Sequence, residues 1–410
     1  MKWRDYLADF EWHLFFLALT ITAIGVVFIW SSTRDSLCFA NKAFMQVLFA
    51  LVCIPVVFLV LRFGYINVRK LAYPVYFLFL FMLLFLHIFG GSGHGAARWF
   101  DLKIGINLQP SEFMKVAIIV ALARHLMYKT DWRRWSSLII PFVMTFVPMI
   151  LIVKQPDLGT ALLFVPILFG MIFAAGARAK HLILLILAGA VMIPLVYTSG
   201  LLHPYQKSRI TSFLQHVVSL EKEAKELHRL ANRLEAEDLS ADRIGEARQE
   251  ARELERQARE LKQGSKYQQY YSQVLIGSGG IFGQKLSRGP LNRLDYLPES
   301  HTDFIFAILG EEWGFLGCST LLLLYFLMVA IIFGVARRTR ESFGRYVCCG
   351  VGVLFGAQVF VNTAITVGLL PVTGLTLPHM SYGGSSLLSS FIALGLVLDV
   401  GSRRIRVFSR

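Results

Sequence analysis

Apolar stretches recur along this chain, separated by shorter polar connections. Most of them approach the roughly 20 residues that an α-helix needs to cross the hydrocarbon core of a bilayer. The fourth is weaker because Lys115 interrupts it, and the fifth because it is short and ends at Lys154. We therefore predict an all-α polytopic membrane protein with about ten transmembrane helices. The stretches lie at 13–31, 43–61, 71–91, 113–123, 138–153, 159–175, 181–198, 304–335, 346–370 and 383–400.

The orientation of these helices follows from the Lys and Arg residues in the connections. Short cytoplasmic loops are enriched in these residues, and connections rich and poor in them alternate along this chain. Both ends of the chain are rich in them, so we predict that both termini are cytoplasmic. The cations in the short connections that this topology places outside are Arg34, Lys42, Arg98, Lys103 and Lys154.

Composition agrees with a membrane protein and argues against a nucleic-acid-binding function. Of the 410 residues, 55% are hydrophobic and 17% are charged, which is too apolar for a soluble chain unless the apolar residues form long runs. The formal net charge is +14. The basic residues are divided among separate inner loops rather than gathered on one face, so we expect membrane lipids around the protein and no nucleic-acid partner.

One long polar segment, 199–300, separates the helices predicted in 1–198 from those predicted in 301–410, and the topology places it outside. Within it, apolar residues recur at intervals of three and four, first from Val217 to Leu234 and then from Ala247 to Leu261. This spacing is typical of one face of a helix. We predict an extracytoplasmic helical hairpin at 217–264, which is either an exposed insertion or an arm that docks a partner.

Two ionisable residues accompany the predicted fourth helix. Glu112 and Lys115 are three positions apart, which places them on one helical face. A charge at this depth is costly unless it is neutralised. The pair therefore indicates either an ion pair that joins helices or the lining of a site, and spacing leaves both interpretations open.

A second polar cluster leads into the predicted eighth helix. Glu299, His301 and Asp303 precede the apolar string Phe304-Ile-Phe306, at the outer water boundary. In one interpretation Thr302 or Asp303 caps the helix. In the other, the acidic and imidazole groups converge at one rim, where a carboxylate acts as a general base. Spacing alone does not separate the two.

Glycine-rich strings lie on the same outer side. Gly277-Ser-Gly-Gly-Ile-Phe-Gly283 is able to expose backbone N–H groups to an anion, but it lacks the Lys-Ser/Thr of a nucleotide-binding loop, and we favour a re-entrant turn. Ser381-Tyr-Gly-Gly-Ser-Ser386 opens the tenth helix with capping serines and close-packing glycines. Gln155-Pro-Asp-Leu-Gly-Thr160 caps the sixth in the same way.

The histidines carry no metal-binding motif. The ten of them include no HExxH string and no pair at i and i+4, the spacings that bring two imidazoles to one metal ion. His94, His301 and His379 are predicted to face outward. We predict no cofactor, and no ligand motif supports a divalent cation.

Taken together, these strings resemble the SEDS family, the polytopic peptidoglycan glycosyltransferases that work with class B penicillin-binding proteins. The strings occur in the family's order and span most of the chain, whereas the hairpin at 217–264 is an insertion into a loop that is usually shorter. The matching strings are Arg98-Trp99, Gln109-Pro-Ser-Glu-Phe-Met-Lys115, Gln155-Pro-Asp-Leu-Gly-Thr160, Gly277-Ser-Gly-Gly280, Pro298-Glu-Ser-His-Thr-Asp-Phe-Ile-Phe306 and Leu377-Pro-His-Met-Ser-Tyr-Gly-Gly-Ser-Ser386.

The resemblance implies a reaction at the outer face of the bacterial cytoplasmic membrane. Its substrate is expected to be lipid II, polymerised into β-1,4-linked glycan, with Asp303 as the matching essential acid. A sugar that leaves a lipid pyrophosphate needs no protonation of a poor alkoxide, so one base replaces the two carboxylates of glycosidases. Asp303 is expected to take the proton of the acceptor's 4-hydroxyl as that oxygen attacks the donor's anomeric carbon with inversion.

Other residues of these strings are expected to bind substrate. Arg98 and Lys115 are candidates for stabilising the pyrophosphate, with Glu112 orienting Lys115. The predicted substrate-binding set is Arg98, Glu112, Lys115, Glu299, His301, Ser381, Gly383 and Gly384.

Within the family, Gly368-Leu-Leu-Pro-Val-Thr-Gly374 looks more like the elongation member RodA than the division member FtsW. Two other functions also fit a protein with many spans and intramembrane charges. One is the flipping of lipid II across the membrane, and the other is a non-catalytic scaffold that recruits cell-wall enzymes.

Overall fold

The computed structural model describes residues 10–33, 39–89, 99–101, 107–128, 132, 134–155, 157–198, 249, 265–289 and 301–403. These residues form a helical bundle, with a two-residue antiparallel pair, β1 (Phe100–Asp101) and β2 (Asn107–Leu108), between its third and fourth helices. The helices are α1 (Trp12–Ser32), α2 (Phe39–Phe63), α3 (Tyr65–Phe89), α4 (Pro110–Tyr128), α5 (Trp135–Lys154), α6 (Leu158–Ala174), α7 (Ala179–Thr198), α8 (Ser265–Ser278), α9 (Ile305–Arg338), α10 (Ser342–Thr366) and α11 (Gly384–Arg403).

Among the described residues, seven helices are long and apolar enough to cross a membrane, namely α1, α2, α3, α5, α9, α10 and α11. Helix α5, whose stretch was weak by sequence, has a full 20 residues. Helix α6 and the Ala179–Gly189 part of α7 are apolar but shorter, and α4 carries Glu112, Lys115 and Arg124. The predicted count of ten helices stays a prediction.

The helices differ in how much surface they turn outward. Large apolar side chains of α2 and α3 are widely exposed, with 67% exposure at Leu59 and 63% at Phe81, as expected for helices that face lipid. Helices α4 and α11 are instead buried along almost their whole length. Most polar groups of α4 and α11 are therefore enclosed within the bundle.

Two proline breaks are closed by neighbouring helices. Proline lacks the N–H that would bond the carbonyl four residues earlier, and in lipid that carbonyl needs another donor. Pro74 frees the Lys70 carbonyl of α3, which accepts a bond from Arg124 Nη1 of α4 at 2.7 Å. Pro148 frees the Met144 carbonyl of α5, which accepts from Tyr76 Oη of α3 at 2.8 Å.

Helix α8 was not predicted, and it docks against the C-terminal end of α10. Topology predicts that this end of the bundle lies outside, and we call it the outer end. The polar side chains of α8 donate to carbonyls at and just beyond the end of α10: Gln269 Nε2 to Ile365 at 3.0 Å, Ser272 Oγ to Thr366 at 2.8 Å and Gln273 Nε2 to Val367 at 3.1 Å. The last carbonyls of a helix have no partner within it. Helix α8 supplies those partners.

The glycine-rich string forms a turn that repairs a break in α9. Gly314 has φ +65° and ψ −160°, which interrupts the helix. The N–H groups of Gln284 and Lys285 donate to the Glu311 and Glu312 carbonyls at 2.9 and 3.0 Å. Beyond the break, the Phe315 and Leu316 N–H groups donate to the Gly280 and Ile281 carbonyls at 2.9 and 3.1 Å. We call residues 279–285 the clip.

The clip depends on glycine. A Cβ on Gly283, which has φ +76°, would lie 2.2 Å from the Glu312 carbonyl oxygen, and one on Gly279 would lie 1.9 Å from that of Gly310. The turn that we favoured from the sequence is therefore present, and its entry into the membrane stays a prediction. The N–H groups of Gly283, Gln284 and Lys285 bond within the protein, so these three are not available to an anion.

Charged residues join the helices at the end of the bundle that topology predicts to be cytoplasmic. The buried Asp399 carboxylate accepts from Arg403 Nε at 2.7 Å and from the Tyr65 N–H at the start of α3. Glu341 caps α10 through the Gly344 N–H at 2.6 Å and pairs with Arg69 of α3 at 3.0 Å. We call these contacts the inner network.

Candidate active site at the outer ends of the helices

The structure describes Asp303 and six of the eight predicted substrate-binding residues. Arg98 and Glu299 lie outside the described residues, as does the predicted hairpin at 217–264 apart from residue 249. The six are Glu112, Lys115, His301, Ser381, Gly383 and Gly384.

Asp303 lies just before α9 with its side chain half-buried. The helix begins at Ile305, and its N-cap residue is Phe304, which makes no side-chain capping bond. The N-cap position is thus Phe304, and capping by the side chain of Thr302 or Asp303 stays a prediction. The Asp303 backbone is held from α10, because Asn362 Nδ2 donates to the Asp303 carbonyl at 2.9 Å.

Lys42, which the charge pattern assigned to an outer loop, contacts the segment 301–303. Lys42 Nζ lies 3.1 Å from His301 Nε2, and the Tyr382 ring lies 5.6 Å from the His301 ring. Burial raises the pKa of the Tyr382 phenol, so that group stays a neutral hydroxyl. Lys42 belongs to α2 and lies one helical turn before Gln46. Two polar residues four positions apart at the start of an apolar stretch are the sequence signal from which both could have been recognised.

The turn between α10 and α11 is held on this side by Gln46. Its Nε2 donates to the Ser381 carbonyl at 3.1 Å, and its Oε1 accepts from the Gly383 N–H at 3.3 Å. The Tyr382 N–H donates to the His301 carbonyl at 3.0 Å. The two outer segments are thus joined through their backbones.

The predicted serine and glycines shape this turn. Ser381 Oγ accepts from the Leu377 N–H at 2.7 Å. Gly383 has φ +153°, which other residues rarely adopt, and a Cβ on Gly384 would lie 3.1 Å from the Phe49 ring. The predicted close packing is confirmed, whereas substrate binding by these residues stays a prediction.

Glu112 and Lys115 form a buried ion pair. Lys115 Nζ lies 2.9 Å from Glu112 Oε1, and the two side chains are only 2% and 6% exposed. Ser389 Oγ of α11 donates to Glu112 Oε2 at 3.3 Å. The pair therefore joins α4 to α11, which is one of the two arrangements that the spacing left open.

The motif around Asp157 packs against the start of α4. Asp157 is the N-cap of α6 and accepts from the Thr160 N–H at 3.1 Å, which confirms the predicted cap. Its second oxygen accepts from Gln109 Nε2 at 3.1 Å and from Ser111 Oγ at 3.4 Å. Two strings that lie far apart in the sequence therefore meet.

The segment 375–389 contacts both charged clusters. On one side, Asn362 and Tyr382 connect it to residues 301–303. On the other, Ser385 Oγ accepts from the Gln109 N–H at 3.1 Å and donates to the Asn107 carbonyl at 2.7 Å. Asp303 and the Glu112–Lys115 pair thus lie against one shared segment at the same end of the bundle.

His379 lies in the turn between α10 and α11, at the end of the bundle where it was predicted. It is 2% exposed and lies edge-on to the rings of Phe355 and Phe391. Burial lowers the pKa of this imidazole to about 3, so it is neutral.

Two further observations concern ligands. Among the described residues, no group of three or more His, Cys, Asp or Glu residues is placed to hold a metal ion. A largely apolar cavity of about 570 Å³ opens between α2, α3, α4 and α11, with Arg62 and Asn67 at its predicted cytoplasmic end. It shares α4 with the Glu112–Lys115 pair.

Comparison with known proteins identifies the family. The model of the cell cycle protein family of FtsW, RodA and SpoVE matches residues 11–223 and 250–405. The chain belongs to this family. It is therefore a SEDS peptidoglycan glycosyltransferase and a multi-pass membrane protein involved in cell-wall synthesis. The unmatched stretch, 224–249, falls within the predicted insertion.

Individual SEDS proteins match over nearly their whole length. A probable FtsW of Trichlorobacter lovleyi is 33% identical over 408 residues, which cover 97% of this chain and 94% of that protein. RodA of Treponema pallidum is 29% identical over 434 residues, with coverages of 97% and 99%. Both branches of the family are thus represented.

Solved structures agree with this fold. A chain from a peptidoglycan synthase complex that coordinates polymerization and crosslinking has a TM-score of 0.73 at 29% identity, covering 97% of this chain and 99% of that one. RodA of Thermus thermophilus has a TM-score of 0.65 at 27% identity, with coverages of 97% and 98%. The bundle is therefore that of a SEDS protein.

Proposed function

We propose that this protein polymerises lipid II into β-1,4 glycan strands at the outer face of the bacterial cytoplasmic membrane, with Asp303 as the general base. The observation that carries the proposal is the position of Asp303. Asp303 lies half-buried just before α9, and its backbone is fixed from α10. A carboxylate at a fixed backbone position, two residues along the chain from the half-buried His301, suits proton abstraction.

The proposed reaction balances around one proton. The acceptor's 4-hydroxyl oxygen bonds to the donor's anomeric carbon as the bond from that carbon to the pyrophosphate oxygen breaks. The proton of the hydroxyl passes to Asp303, and the electron pair of the broken bond leaves with the lipid pyrophosphate. Attack opposite the leaving group inverts the anomeric centre.

Cationic side chains are proposed to stabilise the departing pyrophosphate. Lys42 is 3.1 Å from His301, which places a positive charge beside the Asp303 segment. Lys115 is already paired with Glu112. Its ammonium group is therefore held in place, and we propose that it acts on the pyrophosphate through its electrostatic field rather than by direct contact. Arg98 remains a candidate from the sequence. Charge-assisted contacts of this kind favour phosphate oxygens strongly.

The test is strand synthesis by the full-length protein in lipid nanodiscs, supplied with lipid II and a class B penicillin-binding protein. Asp303→Ala should abolish polymer while its thermal unfolding midpoint stays near that of the wild type. A variant that polymerises normally would remove Asp303 from the mechanism. A scaffold predicts no product from the wild type, and lipid flipping that persists in Asp303→Ala would favour transport.

The partner is proposed to be a class B penicillin-binding protein. The support is the similarity to a chain of a synthase complex that joins polymerization to crosslinking. The predicted hairpin at 217–264 is proposed to help dock that partner. Replacing 217–264 with a short Gly/Ser linker should weaken binding in a pull-down of the purified proteins while leaving the bundle folded. Unchanged affinity would make the segment an inert insertion.

A role in cell elongation is proposed from the string Gly368–Gly374. FtsW and RodA relatives match this chain with similar identity and coverage. Similarity therefore does not separate the two roles, and the test is the shape of cells depleted of the protein. Depletion should make rod-shaped cells round. Filamentous cells would assign the protein to division instead.

A further inference from the structure

Asn362 bridges two segments of the chain at the proposed site. It lies on α10 with 1% exposure. Its single amide nitrogen donates to the Asp303 carbonyl at 2.9 Å and to the Leu375 carbonyl at 2.6 Å. Both N–H bonds of the amide are thus used, one on the segment before α9 and one on the segment that leads to α11.

The chemistry of this bridge is specific to a primary amide. A planar NH₂ group carries two donors directed to different sides, whereas a hydroxyl carries one donor. The amide oxygen, Asn362 Oδ1, is buried without a hydrogen-bond partner. Buried polar atoms are nearly always paired, and exceptions tend to occur where function requires them. The function of this side chain in the fold therefore lies in its two N–H donors, and its oxygen takes no part in a hydrogen-bond network.

Neighbouring contacts make the bridge rigid on both sides. Gln358, one turn earlier on α10, donates through Nε2 to the Thr376 carbonyl at 2.8 Å. Phe304, directly after Asp303, is fully buried. The anchored segment at 375–376 and the buried ring at 304 leave little freedom for the Asp303 backbone while the amide holds it.

We propose that Asn362 is a positioning residue for Asp303, acting through the backbone carbonyl without touching substrate. This inference rests on the proposed role of Asp303 as general base. A base must lie within hydrogen-bond reach of the proton that it removes, and a displacement of about 1 Å lowers rates by about 100-fold. Loss of the bridge should therefore slow the chemical step more than it weakens substrate binding.

The test compares two buried amides in the full-length protein, assayed in nanodiscs with lipid II and a class B penicillin-binding protein. Asn362→Leu keeps the approximate volume and removes both donors. Its kcat should fall by about 100-fold, with KM for lipid II changed by less than about threefold. The matched control is Gln155→Leu, because Gln155 is 4% exposed and its Nε2 donates at 3.0 Å to a carbonyl of α3, that of Leu83, rather than to the Asp303 segment.

The control separates positioning from general stability. Gln155→Leu should lower the unfolding midpoint by an amount similar to Asn362→Leu but change kcat by less than about threefold. Asn362→Ser, which retains one donor, should fall between wild type and Asn362→Leu in kcat, and it serves as the test if the leucine variant does not fold. Three outcomes would each overturn the proposal. In the first, Asn362→Leu and Gln155→Leu lose kcat equally, and in the second, Asn362→Ser has wild-type kcat. In the third, the KM of Asn362→Leu rises by the same factor as its kcat falls.

Asp303→Ala in the same assay keeps the two proposals distinct. If that variant polymerises normally, the role of Asp303 is wrong whatever Asn362 does. If Asp303→Ala is inactive and Asn362→Leu has wild-type kcat, the proposed base stands and the positioning role fails.

Discussion

The two ends of the bundle hold their helices together with different chemistry. At the inner network, carboxylates serve as caps and as ion-pair partners, as Asp399 does for the start of α3 and for Arg403. At the outer end, neutral amides hold the backbone: Gln46 fixes the turn at 381–383, and Asn362 fixes Asp303. An amide anchors a segment without placing a fixed charge beside a reacting carboxylate. The inner end thus relies on carboxylates and cations, whereas the outer end, which also contains the Asp157 cap and the Glu112–Lys115 pair, uses neutral amides next to Asp303.

The largest expected effect breaks the inner network. Arg403→Met leaves Asp399, which is 0% exposed, without its cationic partner. Removing one member of a buried pair costs about 3–5 kcal/mol. Thermal unfolding in detergent should show a large loss of stability, with activity per folded molecule unchanged. The double variant Asp399→Asn/Arg403→Met should recover part of it, and no recovery would contradict the pairing.

The next effect tests the clip with two glycines of one string. Gly283→Ala places a methyl group against the Glu312 carbonyl at φ +76° and should cost about 1–3 kcal/mol or more. Gly277→Ala is the matched control, because it lies inside α8 with open space around it, where alanine is favoured by about 0.5–1 kcal/mol. Equal stabilities of the two variants would show that the clip tolerates a side chain.

Lys42→Gln probes the outer end without disturbing packing. Loss of the charge beside His301 should raise KM for lipid II by about tenfold, since a charge-assisted contact contributes about 1.5–3 kcal/mol. Lys154→Gln, at the outer end of α5, is the control and should change KM little. Steady-state kinetics at low and high salt measure both variants. The same KM in both would remove Lys42 from the site.

The smallest effect concerns a proline break. Tyr76→Phe removes the donor to the Met144 carbonyl and should cost about 1 kcal/mol. In a Pro148→Ala background the restored backbone N–H bonds that carbonyl, so the cost of Tyr76→Phe should shrink. A double-mutant cycle by thermal unfolding measures the coupling, and purely additive changes would argue against it.

Helix positions followed closely from the apolar pattern. The stretch predicted at 13–31 is helix Trp12–Ser32, and that at 383–400 is Gly384–Arg403. Helix α8 was missed because its pattern is inverted. Gln269 and Ser272 are buried against carbonyls of the α10 terminus while Tyr270 is 47% exposed. Polar residues that pair with a neighbouring helix give no apolar stripe.

The candidate site was predictable only in part for a related reason. Asp303 and the Glu112–Lys115 pair stand out as charges near apolar spans. Asn362 and Gln46 are uncharged, and their partners lie in other segments of the chain. Periodicity reports which face of a helix is buried, but it does not report which backbone groups that face meets. Those contacts require the folded chain.

The docking of α8 has a consequence for how the outer loop tolerates change. Its hydrogen bonds to the end of α10, made by Gln269, Ser272 and Gln273, hold the chain a few residues after the predicted insertion. Residues added before α8 then lengthen a connection whose C-terminal end is already fixed by hydrogen bonds. Each doubling of a flexible loop raises the free energy of loop closure by only about 0.6 kcal/mol. Evolution is thereby free to vary the length and sequence of that loop while the anchored helices beneath it keep their arrangement.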